Sequence, residues 1–559
     1  MGGAVNRRGF VQGAALAAGL GSALSPGLSQ AAGPGAGTAT TATTAAVPPV
    51  GLAASPWDGM DVAALQAEMA AGRLSAVALV RHCLKRIEAI DRRGPTLRAI
   101  IELNPDALAQ ARQLDTERRG RRGVPPKVRG PLHGVPVLLK DNIATADQMA
   151  TTAGSLVLAG LRAQAEAPIV TRLREAGAVI LGKTNLSEWA NMRSSRSSSG
   201  WSSRGGQTRN PHVLNRSPSG SSSGSGAAAA AGLAPLTVGT ETDGSICSPA
   251  NVNGVVGFKP TVGLVSRSGI IPISASQDSA GPMVRHVRDA ALLLQALAGP
   301  DARDAATAAQ PAPVPDYAAA LRPDALKGAR IGVIRHAVPT QPAVAKLFEE
   351  ALGVLRTQGA VLVDKLEIPN REKLRAPEFT VLLHELKDGL AAYLRAYQSD
   401  APVKTLADII AWNQANAPRA MPHFAQELFD LSQATEGLTA PVYTEALATC
   451  RRFSREEGLD ALFKQHQLDA VVGPTGSVAW PIDHLLGDRS GGGGFGSVFA
   501  VAGYPHLTVP MGVVAGLPTG LSFGGLAWQE AKVLALAYAY EQASQRRAAP
   551  RYLRETGIA

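Results

Sequence analysis

SPSGSSSGSGAAAAAGLAPLTVGTETDGS, residues 217–245, carries two conflicting signals. Its first half has the composition of a linker, and Gly/Ser tracts are usually flexible and chemically idle. Its second half contains LAPLTVGT, an apolar, β-favouring segment that runs into a Gly/Thr/Asp turn. A spacer between domains has no reason to pass through an alanine run into a buried strand. The other reading is that small residues are needed because something packs or reacts at close quarters.

Outward from this stretch, helical and strand patterns alternate. Ser75 can cap a helix whose Leu79, Val80, Cys83, Leu84 and Ile87 share one face, and RRGP closes it. PLHGVPVLLKDN reads as a buried strand, Val135–Leu139, ending at Lys140. A helix near 167–176 and the strand AVILG follow, then the alanine run and LAPLTVGT. ARIGVI (329–334) and LDAVVGPT (468–475) restore strand character further on. The mostly helical, charged region between them reads as an inserted cap. GLPTGLSFGGLAWQEAKVLALAYAYEQAS is a strand and turn followed by a long amphipathic helix. The pattern is α/β, a central sheet covered by helices.

The 559 residues are enough for one large domain, and 45% hydrophobic with 18% charged residues describes an ordinary globular chain. The net charge of +10 raises nucleic acid as a partner. Its basic residues are scattered in short groups such as ERRGRRG (117–123), so a solvated basic surface is the plainer account. Cys83, Cys247 and Cys450 form no CxxC and no disulfide framework. HELKD at 384–388 only begins like a zinc motif, and nothing else has metal-ligand spacing. No metal or cofactor is expected.

The N-terminus has its own logic. Arg7-Arg8-Gly9-Phe10 precedes a mild Ala/Gly-rich apolar stretch and then LSQAAG at 28–33, the order of an export signal. The paired arginines resemble a twin-arginine signal, which implies a periplasmic or secreted protein. The stretch is too short and too weakly apolar for stable membrane insertion. Expected boundaries are 1–31 for the signal, 32–56 for a disordered leader and 57–550 for one domain. Within that domain the core spans about 130–275 and the cap about 340–450.

Two motif matches mislead. GAVILGKT (177–184) fits the phosphate-loop pattern, but its variable positions are Ala-Val-Ile-Leu, so the motif would itself be a strand. GSSSG (220–224) fits the hydrolase elbow with Ser222 as nucleophile, yet that elbow follows a strand directly and RNPHVLNRSPS is polar and irregular.

Three stretches taken together are more specific: GVPVLLKDN with Lys140, the Ser/Gly tract, and VGTETDGSICSPA followed by NGVVGFKPTVGLVS. This combination resembles the amidase signature family, whose pattern is a lysine after an apolar strand, then GGSSGGS, then a GT-containing turn ending in GGS. The resemblance runs from about residue 57 to 545, and among branches it is most similar to bacterial peptide amidases. NLSEWANMRSSRSSSGWSSRGGQTRNP (185–211) shares that branch likeness and, with the cap, is expected to border the substrate.

The resemblance implies one large domain with a mixed sheet covered by helices on both faces. It also implies an amide hydrolase acting on a small-molecule or peptide amide, as a monomer or homodimer. It assigns catalytic roles to Lys140, Ser221 and Ser245, with a cis peptide bond at the first serine. The family separates its two serines by 24 positions, as Ser221 and Ser245 are here. The backbone of Thr242, Asp243, Gly244 and Ser245 would line an oxyanion hole. Other family activities, on aryl, fatty or linear amides, remain alternatives, as does a non-catalytic amide-binding protein.

The chemistry agrees with these roles. A serine needs an adjacent base, and a lysine serves near neutrality only if burial lowers its pKa by roughly three units. The bland readings are a buried ion pair of Lys140 with Asp141, and turn or capping hydroxyls for the serines. Thr240 is divided between turn support and a hydrogen bond within the site, and Ser219 and Ser222 read as structural. Two residues depart from the family: Asp243 stands where Gly is usual, and Cys247 where Arg is frequent. Cys247 has no nearby histidine in sequence to make it a second nucleophile.

Overall fold

The computed structural model describes residues 45–556. The expected export signal and the first part of the leader lie outside these residues. The described part of the leader, 45–56, runs along the domain: Val47 N donates to Tyr552 O (2.9 Å) and Val50 N to Ala89 O (3.1 Å). Val47 and Leu52 pack on a buried cluster, so the packed body begins earlier than composition alone indicates.

Thirteen strands are present among the described residues: β1 Ile100–Leu103, β2 Pro136–Lys140, β3 Val179–Thr184, β4 Trp201–Ser202, β5 Gly206–Gln207, β6 Leu236–Glu241, β7 Val256–Lys259, β8 Ser279–Val284, β9 Arg330–Ile334, β10 Val361–Leu366, β11 Ala470–Pro474, β12 His506–Val514 and β13 Leu517–Gly524. Eleven of them form one mixed sheet in the order β1-β3-β2-β6-β8-β7-β12-β13-β11-β9-β10, while β4 and β5 pair separately. β2 is parallel to both β3 and β6, and β8 is antiparallel to β6. VILGKT of the phosphate-loop match is therefore β3, as its apolar residues require.

Helices cover both faces, and strand periodicity decides which residues meet them. In β2, Val137 and Leu139 enter the larger core, with the helices Val287–Leu297 and Glu530–Ser544. Leu138 enters a second core with Cys83, Leu79 and the alanines of the Ser223–Ala230 helix. All three β2 side chains are fully buried, each worth on the order of 1.5–3 kcal/mol. Lys140 follows Leu138 by two positions, so it faces the alanine helix.

Ser75 caps the Ala76–Arg86 helix, its hydroxyl accepting from Ala78 N (3.1 Å). Two details differ from the pattern reading. The segment expected to open the cap supplies the Pro342–Thr357 helix, packed on the main core, and the edge strand β10. The helical excursion itself runs from Arg375–Tyr397 to Asp460–His466. The C-terminal helix is buried without interruption from Val533 to Tyr540 rather than on one stripe, because it lies against sheet and helices together. No helix among the described residues is long and apolar enough to cross a membrane.

Candidate active site

β2 ends by delivering Lys140 into a pocket of hydroxyls. Its Nζ donates to Ser221 Oγ (2.8 Å), Thr240 Oγ1 (2.8 Å) and Thr240 O (3.2 Å). The side chain is fully buried. Burial pushes the ammonium down to about 7, against the weaker opposing charges of Asp278 and Glu241. Asp141, the candidate ion-pair partner, turns away: it accepts from Thr152 and lies 3.3 Å from Arg204. Thr240, left open by sequence, accepts from Lys140 and also from Asn142 Nδ2 (3.0 Å).

The Ser/Gly tract wraps around this lysine. The Gly220–Ser221 peptide bond is cis. A Cβ on Gly220 would lie 2.2 Å from Ser187 Oγ, and one on Gly224 2.3 Å from Ala99 O, so neither position has room for a side chain. Ser222 exchanges two bonds with Thr240, donating to its carbonyl (2.9 Å) and accepting from its N–H (3.1 Å). It is a strut between tract and β6, which excludes the elbow reading. Ser219 Oγ meets Ser248 Oγ at 2.8 Å. Beyond the strut, the Ser223–Ala230 helix is buried throughout and points its N-terminus toward the serines, an orientation that favours negative charge.

Ser245 closes the turn that follows β6 and is joined to the tract through backbone, Ser222 N donating to Ser245 O (3.1 Å). Among the described residues no hydrogen bond links its hydroxyl to that of Ser221. Gly244 adopts φ +76°, a conformation glycine takes without strain. Thr242 Oγ1 donates to Asp278 Oδ1 (2.5 Å), and Asp243 Oδ1 accepts from Ser497 Oγ (3.0 Å). Burial raises the Asp243 carboxyl to about 6, and burial beside Asp243 raises Glu378 as well.

Sequence reasoning missed two groups that shape this turn. Glu241 Oε2 accepts from Ile246 N (2.7 Å) and Cys247 N (2.9 Å), clamping the chain just after Ser245. Asp278 ties Thr242 to the backbone N–H groups of Ile273 (2.8 Å) and Ser274 (3.0 Å). An acidic residue in a glycine-rich turn was the available signal for the first. Asp278 had none, because Thr242, the side chain it holds, lies 36 positions away in sequence.

Cys247 is buried and its thiol is pushed well above its usual value by that burial, which makes it a poor nucleophile. Glu241, Cys247 and His506 bring ligand atoms within 4.8 Å of one another. The buried ammonium of Lys259 acts on all three, a charge that opposes a cation there. Of residues 185–211, Ser187 and Ser199 press on Gly220, and Ala190 lines a cavity of about 460 Å³ beside Thr240 and Thr242.

A protein-family model described as Amidase matches residues 78–534. A probable amidase of Arabidopsis thaliana is 42% identical over 476 residues, 84% of this chain and 87% of that protein. The crystal structure of native peptide amidase from Stenotrophomonas maltophilia superposes with a TM-score of 0.85 at 53% identity, covering 89% of this chain and 99% of that one. A structure of the peptide amidase PAM with the competitive inhibitor chymostatin gives a TM-score of 0.85 at 54% identity, covering 89% and 100%.

Proposed function

The chain belongs to the amidase signature family and is an amidase, a hydrolase of carbon–nitrogen bonds; we propose that its substrate is the C-terminal carboxamide of peptides, hydrolysed to the free acid and ammonia through an acyl-enzyme. Neutral Lys140 takes the proton of Ser221 Oγ, Ser221 takes that of Ser245, and Ser245 Oγ attacks the amide carbon. The developing oxyanion is held by the N–H groups of Thr242, Asp243, Gly244 and Ser245. As the C–N bond breaks, the proton returns through Ser221 to the departing nitrogen. Water then attacks the ester carbonyl by the same relay and restores Ser245. The two hydroxyls draw together when substrate occupies the site, as catalytic hydrogen bonds often tighten only in the complex.

The observation that carries this reading is Lys140: a fully buried amine with a pKa of about 7, 2.8 Å from a serine hydroxyl and, among the described residues, with no carboxylate bound to it. Lys183 and Lys259 are also buried and hydrogen-bonded to neutral acceptors, but among the described residues only Lys140 meets a serine of the Ser/Gly tract. The peptide-amide assignment draws on the two peptide amidase structures. The test is ammonia release from amidated peptides, aryl acylamides and fatty amides by wild type, Ser245→Ala and Lys140→Ala. Peptide amides are expected to turn over in wild type alone. Turnover of another amide class only would discard the substrate, and a fully active Ser245→Ala would discard the mechanism.

Export to the periplasm or medium is proposed on Arg7-Arg8, which lie outside the described residues. Replacing both arginines with lysine is expected to leave precursor in the cytoplasm. Unchanged export would remove the twin-arginine reading.

A further inference from the structure

The cavity beside the lysine–serine cluster encloses about 460 Å³ and is open to solvent, a size suited to a ligand site. Asn142, Thr240, Thr242 and Ser279 line it where it adjoins the catalytic turn, and the apolar run 270–273 lines it further out. The cap contributes Gly389, Ala392, Tyr393, Ala396 and Tyr397. These recur at spacings of three and four, so they share one face of the Arg375–Tyr397 helix. Glycine and alanine at three of the five make the room. A Cβ on Gly389 would already touch Pro272 Cγ at 3.1 Å, whereas Ala392 and Ala396 are exposed within the opening.

Three residues of these walls each carry a buried polar atom with no hydrogen-bond partner among the described residues: Asn142 Oδ1, Ser279 Oγ and Tyr393 Oη. Their residues are only 4%, 2% and 5% exposed. Buried polar groups are normally satisfied, so three orphans lining one cavity mark groups kept for a ligand. The charged residues around it are already engaged. Arg267 pairs with Asp304 (2.5 Å) and Arg303 with Asp301 (3.1 Å), while Asp278 accepts from Thr242 and two backbone N–H groups. That leaves an uncharged lining with a few hydrogen-bonding positions.

We propose that this cavity seats a bulky, uncharged side chain, aromatic or branched aliphatic, on the residue that bears the carboxamide, and that Asn142, Ser279 and Tyr393 hydrogen-bond the amide groups of that residue. This rests on the amide-hydrolysis reading above. Ammonia is the leaving group of a primary carboxamide and needs almost no space, so a cavity of this size next to the catalytic turn serves the acyl portion. Ala392 and Ala396 set the size limit, because they are the exposed positions of that helix face and leave open the space beside Tyr393 and Tyr397.

The test compares N-acetyl-phenylalaninamide with N-acetyl-glycinamide for wild type and for Ala392→Leu/Ala396→Leu, whose new side chains enter the opening and not the core. Wild type is expected to favour the phenylalanine amide, and the double variant to lower the ratio of kcat/KM values by about tenfold or more. An unchanged ratio would overturn the proposal. Tyr393→Phe is expected to raise KM several-fold with kcat and Tm kept, which loss of structure alone would not do; an unchanged KM would take Tyr393 out of it. A binding readout separates failure of the substrate reading from failure of the pocket. In Ser245→Ala, 3-phenylpropanamide is expected to raise Tm more than acetamide does, and the Leu pair to abolish the difference. Equal responses before the Leu pair is added would overturn the pocket even if wild type hydrolyses peptide amides.

Discussion

Lys140 and Lys183 end neighbouring parallel strands, paired in register with Thr184 and Leu139, and both are fully buried. Burial lowers both, to about 7 and about 8. Their surroundings differ in which hydroxyls they meet and in how many carboxylates act on them. Lys183 donates to Ile143 O (2.6 Å) and Thr151 Oγ1 (2.9 Å) and feels Asp141, Asp147 and Glu102. Lys140 faces two hydroxyls, one of them Ser221 of the Ser/Gly tract, and one carbonyl, and feels Asp278 and Glu241. Desolvation makes a lysine able to give up its proton, and what it touches decides whether that proton has somewhere to go. Lys183, which completes the false phosphate-loop motif, is part of the scaffold. Lys140 is the proposed base.

The sharpest way to break this comparison is to remove each amine. Lys140→Met is expected to lower kcat/KM on a peptide amide by about a thousandfold or more. Its stability at pH 7 should stay within about 1 kcal/mol of wild type, since relief of a desolvated charge offsets the donor that Ser221 and Thr240 lose. If instead Lys140→Met unfolds the protein, the lysine is a structural element like its neighbour.

The pH dependence comes next in size. With Lys140 as base, kcat/KM should fall about tenfold per unit below pH 7 and level off above it. The stability sign runs the other way from a salt bridge. The folded lysine loses its proton near 7 and the unfolded one near about 10.4, so the unfolded state binds more protons between those values. Unfolding free energy should therefore rise with pH across that window, by up to about 1.4 kcal/mol per unit from Lys140, and its penalty should be constant below 7. Denaturant curves of wild type against Lys140→Met isolate this slope, and equal slopes would contradict the lowered value.

Lys183→Met should reverse the pattern, keeping kcat/KM within a few-fold while costing about 2 kcal/mol of stability. The acceptors Ile143 O and Thr151 Oγ1 lose their donor, and Asp141 loses a nearby cation. A large loss of turnover at full stability would merge the two lysines into one role. The smallest effect is a refinement. Asp278→Asn removes the foremost charge that favours protonated Lys140, so the rise in the pH profile should move down by about one unit or less. No movement would mean that Asp278 acts only on Thr242.

How much of the site was legible follows from how local its causes are. The glycines and serines at 219–226 announce themselves because crowding at Gly220 and Gly224 excludes every larger residue. The strand before Lys140 shows in three consecutive apolar residues. Asn142, Ser279 and Tyr393 had no such signal, for each is an ordinary residue until the cap helix and two strands converge on one cavity. β10 did carry a strand signal, the run Ala360-Val361-Leu362-Val363, but the helical, charged segments on either side placed it with the cap.

The amino-acid sequence by itself determined the α/β alternation, the family, the strand that carries Lys140 and the small-residue tract that leaves it room. Those are properties of neighbouring residues, set by side-chain volume and periodicity. Only the tertiary structure decided that Lys140 meets Ser221 across 81 positions, that Asp141 leaves it for Arg204, that Glu241 clamps the turn and that a helix of the cap completes a cavity beside it. Hydrogen bonds and desolvation act through space, so the difference between two buried lysines on adjacent strands exists only after the chain has folded around them.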